Sequence, residues 1–501
     1  MELLGHLATG FGVALTPINV IYALVGALLG TLIGVLPGIG PVATIAMLLP
    51  TTYVLPPVSA LIMLAGIYYG AQYGGSTTSI LLNMPGETSS AVNCLDGYQM
   101  AKRGQAGAAL AVSALGSFFA GTVATVMVAT VAIPLSEIAL KFGPAEYFSL
   151  MVLGLIGSSV LARGSLLKAI GMIVLGLLLG IVGTDVNSGM QRYTFGVPEL
   201  SDGLGVASVA MGLFGFAEII TNLESPERRE IMKTKVSSLW LTREQFRRAW
   251  PAVLRGTGLG SILGLLPGGG AMLASFASYA VEKKVAKNPA EFGHGAIEGV
   301  AGPESANNAG AQSSFIPLLT LGIPENAVMA MMVGAMTIHS IQPGPQVMTS
   351  NPQLFWGLIC SMWVGNLMLV VLNLPMIGIW IKLLTVPYRV LYPAILLFCS
   401  IGVYTISNTS FDVMQTAAFG LIGVLFVKLE FEPAPLLLGF VLGPMMEENL
   451  RRALLLSRGD PTVFVTRPIS LAMLSLAAGL VVLIALPKIR STREVAFAEE
   501  T

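Results

Sequence analysis

Apolar residues dominate the chain in long runs rather than in alternating or short helical stripes. The clearest runs long enough to span fall at 105–135, 145–162, 165–183, 203–222, 353–381, 390–406, 411–427 and 469–486. A run of about 20 such residues matches the ~30 Å of bilayer hydrocarbon, so each predicts a spanning helix. β-barrel strands would alternate instead. Two further runs are broken. Ile18–Leu36 meets Pro37-Gly38-Ile39-Gly40-Pro41 and resumes as Val42–Leu55; Ala252–Leu266 meets Pro267-Gly268-Gly269-Gly270 and resumes as Ala271–Val281. Two apolar arms around a Pro/Gly tip predict a re-entrant hairpin or a discontinuous helix, which survives at membrane depth only inside protein or beside a watery cavity.

Composition agrees. Of 501 residues, 54% are hydrophobic and 11% charged, against ~25% charged in soluble domains. Mean hydropathy is +0.78. A cytosolic enzyme is excluded. Net charge is zero, with 27 basic and 27 acidic residues, so no nucleic-acid partner is implied. The first Lys or Arg is Lys102, so the N-terminal apolar stretch lacks the basic start of a cleavable signal peptide. Cys94, Cys360 and Cys399 have no metal or disulfide spacing, and no structural metal or cofactor is expected. The fold class predicted is an all-α polytopic membrane protein of about 10–12 transmembrane helices.

One segment reads as soluble. Residues 223–250 carry Arg228, Arg229, Lys233, Lys235, Arg243, Arg247 and Arg248, which makes the segment cytoplasmic by the positive-inside rule. It lies at the chain midpoint and divides the protein into a first repeat, 1–222, a linker, 223–250, a second repeat, 251–468, and a last helix with a cytoplasmic tail, 469–501.

The repeats rest on three landmarks in the same order. Gly34–Gly40 (GVLPGIG) matches Gly264–Gly270 (GLLPGGG). Gly74–Pro85 (GGSTTSILLNMP) resembles Ser313–Pro324 (SSFIPLLTLGIP), each with an acid just beyond, Glu87 and Glu325. Gly97-Tyr-Gln-Met matches Gly344-Pro-Gln-Val. Charges exchange between equivalent loops. Lys102-Arg103 has the uncharged Thr349–Gln353 as counterpart, and Lys283–Lys287 has the uncharged Pro50–Pro56. Equivalent loops on opposite membrane sides mean inverted repeats, as in secondary transporters with a midplane site.

Two polar stretches, 67–88 and 302–326, lie at membrane depth. Their candidate binding residues are Gly74, Gly75, Ser76, Thr77, Thr78 and Asn83 in one copy. The other holds Asn307, Asn308, Ser313, Ser314, Glu325 and Asn326. The tips add Pro37, Gly38 and Gly40, and Pro267, Gly268 and Gly270. Hydroxyls, amides and unwound carbonyls suit a small hard cation, and helix N-termini suit an anion. The competing reading is close helix packing with hydroxyls bonded back to their own helix. Occurrence at equivalent places in both copies favours binding. No Lys or Arg lies in 1–101 or 288–381, so an anionic substrate there would need co-bound cations. Glu304 reads first as an interfacial acid bonded to helix N-terminal amides; for Glu325 that reading and a coupling role stand level. An intramembrane Ser–His enzyme lacks support, because His6, His294 and His339 lie away from the serines of both stretches.

The strings GVLPGIGP, YYGAQYGGSTTSILLNMPGE, GLLPGGG, GPESANNAGAQSSFIPLLTLGIPEN and GPQVM resemble the large membrane subunit of tripartite tricarboxylate transporters. The resemblance implies a permease of the bacterial inner membrane. It implies two partners, a small four-helix membrane subunit and a periplasmic substrate-binding protein. It implies import of a small organic carboxylate, citrate-like, on an ion gradient, and an elevator-type moving domain. Na⁺ is favoured over H⁺ as coupling ion, since neutral oxygens suit it and a proton needs a titratable carrier, for which Glu325 is the nearby candidate. A stand-alone carrier or channel of the same fold is the alternative.

Overall fold

The computed structural model describes residues 2–36, 40–161, 165–185, 187–224, 239–266, 270–383, 393, 396–397, 400–401, 403–404 and 409–485. The first half contains α1 (Glu2–Ala14), α2 (Pro17–Val35), α3 (Pro41–Thr52), α4 (Pro57–Leu82), α5 (Val92–Lys102), α6 (Ala106–Ala139), α7 (Pro144–Leu161), α8 (Leu166–Gly180), α9 (Val206–Ala210) and α10 (Ala217–Glu224). The second contains α11 (Arg243–Leu263), α12 (Gly270–Val285), α13 (Glu298–Ser313), α14 (Phe315–Leu321), α15 (Ala327–Ile338), α16 (Val347–Ser350), α17 (Pro352–Asn373), α18 (Ile377–Leu383), α19 (Ser410–Lys428), α20 (Pro433–Leu456), α21 (Val463–Thr466) and α22 (Pro468–Ala485). A two-stranded ribbon, β1 (Gly183–Thr184) against β2 (Gln191–Arg192), is the described sheet, and it is antiparallel. By length and composition α2, α6, α17 and α19 can each cross a membrane. The protein is an all-α, multi-pass membrane protein.

Several boundaries differ from the sequence reading. The run 353–381 is two helices, α17 and α18, separated at Leu374–Met376, where Pro375 interrupts the hydrogen-bond ladder. The run 203–222 contains a π-helical turn, Met211–Phe216, between α9 and α10. The basic segment does not end as a loop at 250. Thr242 caps α11 through a capping box with Gln245, and the helix carries Arg243–Trp250 straight into the apolar arm. The polar stretch 67–82 is not unwound; it is the second half of one 26-residue helix. Its break comes at Asn83, left-handed at φ 57°, two residues before Pro85. In the other half the break comes at Gly322, left-handed at φ 72°, two residues before Pro324. There the chain passes so near Pro343 that a Cβ would sit 2.6 Å from its carbonyl oxygen.

Glycine sets how the helices meet. On α2, Gly26, Gly30 and Gly34 lie on the carbonyl oxygens of Met63, Ile67 and Ala71 of α4. On α11, Gly256, Gly260 and Gly264 lie on the carbonyls of Gly302, Ala306 and Gly310 of α13. Both series advance one helical turn at a time, and a Cβ at Gly34 or at Gly264 would come within 2.5 Å of the facing oxygen. Apolar lipid gives no hydrophobic drive for helix association, so backbone contact of this kind provides the dispersion energy that does.

The halves also exchange a helix. From the first half, α6 packs against α13 and α11; from the second, α17 packs against α4 and α2. Asp96 on α5 ties them further, accepting the backbone N–H of Gly295 at 2.7 Å and of Ala296 at 2.8 Å ahead of α13, and the Tyr279 hydroxyl at 2.9 Å. Between α11 and α12, Arg255 grips the buried Glu282 with both ends of its guanidinium, at 2.8 and 2.5 Å.

Candidate functional site

Glu304 is where the two halves meet chemically. It is wholly buried on α13. Its Oε1 accepts from Ser117 on α6 and from Asn308 one turn along α13, both at 3.0 Å. Its Oε2 accepts from Ser76 on α4 at 2.6 Å and, closely, from Asn93 on α5. Asn308 also donates to Ser117 at 2.8 Å, and Asn93 to Ser76 at 3.2 Å. Four neutral donors on four helices thus surround one carboxylate. This corrects the interfacial reading of Glu304: its partners are side chains from across the bundle, not helix N-terminal amides.

Glu87 stands beside it. The left-handed turn after α4 sends the chain back along the helix, and Gly75 makes room, since a Cβ there would lie 3.1 Å from the Glu87 side chain. Asn307, the neighbour of Asn308, donates to Glu87 Oε1 at 3.3 Å. Ser89 Oγ closes on the same oxygen and lies 3.1 Å from Gln72 Oε1; its single proton serves one of them at a time. The Glu87 and Glu304 carboxylates are near enough to act on each other electrostatically.

Glu325, also wholly buried, faces Gly270, the first residue of α12. A Cβ on Gly270 would overlap its Oε1. No well-formed hydrogen bond reaches its two oxygens, although the Ser314 hydroxyl and the Gly270 N–H lie close enough to act on the carboxylate. The next residue, Asn326, caps α15 by accepting from Met329 N–H at 2.9 Å, and its amide reaches the Tyr68 hydroxyl at 3.4 Å. Tyr68 feels the charge of both Glu325 and Glu87. Two buried carboxylates, Glu304 and Glu325, and the half-buried Glu87 therefore share one polar seam, and among the described residues none of them has an ion-pair partner. Glu325 is not the lone titratable group there, as the sequence reading had it.

The other predicted residues divide. Thr77, Ser313 and Ser314 bond back to carbonyls of their own helix or turn, at 3.3, 3.3 and 2.8 Å, and Thr78 does so at 2.8 Å while also reaching Gly34 O at 3.4 Å. Ser313 likewise reaches Gly260 O at 3.4 Å. Those hydroxyls follow the packing alternative. Gly74 packs on α2, where a Cβ would sit 2.8 Å from Val35 N. Asn83 is an exposed helix end. Gly40 is the N-cap of α3. Pro37, Gly38, Pro267 and Gly268 lie outside the described residues. Asn93, Ser117, Gln72 and Tyr68 were not singled out in the sequence. Gln72 and Tyr68 lie within the first polar stretch, but Ser117 is one hydroxyl in a long apolar helix and carries no local signal.

The fold is thus a glycine-packed helical membrane bundle with three carboxylates along a polar seam. The family model described as "Tripartite tricarboxylate transporter TctA family" matches residues 20–438. The chain belongs to that family, a family of transporters built with partner subunits. It is 61% identical over 500 residues, all of both chains, to the "Uncharacterized 52.8 kDa protein in TAR-I ttuC' 3'region" of Agrobacterium vitis. It is 64% identical over 241 residues, 48% of this chain and all of the relative, to the "Uncharacterized protein in TAR-II ttuC' 3'region" of the same organism. No solved structure matches.

Proposed function

We propose that this chain is the large permease subunit of a binding-protein-dependent secondary transporter that imports a di- or tricarboxylate, citrate-like, across the bacterial inner membrane with a cation gradient. The observation that carries this reading is the family match across residues 20–438. The partners are a periplasmic substrate-binding protein and a small four-helix membrane subunit. The coupling ion is Na⁺. The halves 1–222 and 251–468 are inverted repeats joined by the linker 223–250, with 469–501 appended, and the hairpins and broken helices form an elevator-type transport domain. Two observations favour this arrangement: the glycine-on-carbonyl register repeated in α2–α4 and α11–α13, and the reciprocal packing of α6 and α17.

The charges of the seam fit cation-driven import. An anion entering a negative-inside cell is opposed by about 2.3 kcal/mol per charge per 100 mV. Glu87, Glu304 and Glu325 add negative charge where a substrate carboxylate would pass, so cations must accompany it.

The test is citrate uptake into proteoliposomes holding this chain and the small subunit, with the binding protein inside the assay or omitted. Uptake that requires both the binding protein and an imposed cation gradient is expected. Uptake without the binding protein would make the chain a stand-alone carrier.

A further inference from the structure

We propose that Glu304 and Glu87, with the side-chain carbonyl oxygens of Asn93 and Asn307, form the Na⁺ site of this protein. The proposal rests on the cation-coupled reading above and gives it an address.

Two orphaned atoms point to the ligand. Asn93 and Asn307 are each 1% exposed, and the Oδ1 of each has no hydrogen-bond partner. The other terminal atom of each amide is committed: Asn93 Nδ2 donates to Glu304 Oε2, and Asn307 Nδ2 to Glu87 Oε1. Both terminal atoms of an amide sit on one carbon, so each orphaned oxygen lies next to a carboxylate. Flipping either amide would set oxygen against carboxylate oxygen, which ionised carboxylates disfavour. Ser76 and Ser89 add hydroxyl oxygens to the same two carboxylates. The donor set is all oxygen and hard, with two carboxylates, and a buried acceptor without a donor is costly until something positive reaches it.

A proton at Glu304 does not serve as well. Its oxygens already accept from Ser76, Asn93, Ser117 and Asn308. The two serines can rotate to accept a new O–H, but the Asn93 and Asn308 amide nitrogens cannot accept. A proton would also supply one donor, while two amide oxygens wait for one. A cation, unlike a proton, is shared among several oxygen ligands.

The experiment is Na⁺ binding to the purified full-length chain in nanodiscs, read by ²²Na⁺ scintillation proximity and by Na⁺-dependent thermal stabilisation against K⁺ and choline. Saturable binding selective for Na⁺ is expected in the unaltered protein. Asn307→Ala, which loses one bond to Glu87, should fold and weaken Na⁺ binding at least tenfold; Glu304→Gln should abolish it. If Glu304→Gln fails to fold, Asn307→Ala decides alone. Equal responses to Na⁺ and K⁺, or full Na⁺ affinity in Asn307→Ala, would overturn the site. Carboxylate uptake on a gradient with no Na⁺ binding here would remove the site and leave the transport function standing. Selective Na⁺ binding in a protein that carries no carboxylate would do the reverse.

Discussion

Ser117 and Glu304 are 187 residues apart in the chain, and the Ser117 hydroxyl lies 3.0 Å from Glu304 Oε1. The contact exists because α6 leaves its own half to pack against α13. Small residues on that face of α6 permit it: a Cβ on Gly116 would lie 2.8 Å from Ser305 Oγ. A hydrogen bond to a buried charged group contributes about 1.5–3 kcal/mol. Ser117→Ala removes one such donor from Glu304 and one acceptor from Asn308, so it should destabilise the bundle by about that amount. The thermal unfolding midpoint in detergent measures the loss. An unchanged midpoint would mean that Glu304 does not depend on α6.

The glycine series predicts matched sensitivity in the two halves. Gly30→Val and Gly260→Val each force a branched side chain onto a backbone carbonyl, and overpacking typically costs about 1–3 kcal/mol, more where backbone is the obstacle. Gly258 shares α11 with Gly260, yet a Cβ there meets nothing within 4 Å. Gly258→Ala should therefore be neutral or stabilising by up to ~1 kcal/mol, since alanine favours helix. Size-exclusion profiles and unfolding midpoints of the three variants test the contrast. Equal damage from Gly258→Ala would show that the series does not act through contact.

Outside the bundle, Asp185 gathers the ribbon onto α20. It accepts from the Ser188 hydroxyl at 2.7 Å, the Asn187 N–H at 3.1 Å and Arg451 at 3.0 Å, with Arg192 at 3.3 Å. The Ser188 hydroxyl first, then the Asn187 amide and the two guanidiniums, hold its carboxyl at about 2. A depressed carboxylate stabilises the loop fully above its unfolded value of ~3.9 and loses that contribution as pH falls through its folded value. Amide exchange of residues 187–192, corrected for intrinsic rate, should show constant protection from pH 7 to 4 and a decline below. Asp185→Asn should remove the pH dependence and lower protection throughout.

How much of this was legible in the sequence depends on the range of the interaction. The apolar runs and the recurrence of GVLPGIG as GLLPGGG are local and were readable. The fate of each hydroxyl was not. Ser76 and Thr77 are neighbours on α4, yet Ser76 faces Glu304 while Thr77 bonds back to Tyr73 O. Helical rotation of about 100° per residue separates them, and only the tertiary packing tells which face is buried against what. Asn93 and Ser117 had no signal at all, because their meaning comes from an acid more than 180 residues away.

The exchange of charge between equivalent loops predicts opposite exposure for Lys284 and Ser350, both solvent-facing. With Cys94, Cys360 and Cys399 replaced, single cysteines at these positions should react with an impermeant maleimide from opposite sides. Lys284→Cys should label only in inverted vesicles, and Ser350→Cys only in intact spheroplasts. Labelling of both from one side would remove the inversion while leaving the shared contact register intact.

Coupling separates the acids of the seam. Glu304 already accepts from four side-chain donors, whereas no well-formed hydrogen bond reaches the Glu325 oxygens, which rest against Gly270 at the start of α12. A helix N-terminus stabilises an anion there, and a substrate carboxylate would seek the same ground. Proton coupling, if it operated, would therefore run through Glu325, which has a free oxygen to take the proton. Sodium coupling would run through the neutral oxygens and paired acids around Glu304. Citrate uptake in proteoliposomes with both partner subunits present distinguishes the two routes. An inward Na⁺ gradient at uniform pH should drive accumulation, and ΔpH alone in Na⁺-free buffer should drive none. Uptake on ΔpH alone that Glu325→Gln abolishes would transfer the coupling role from sodium to a proton on Glu325.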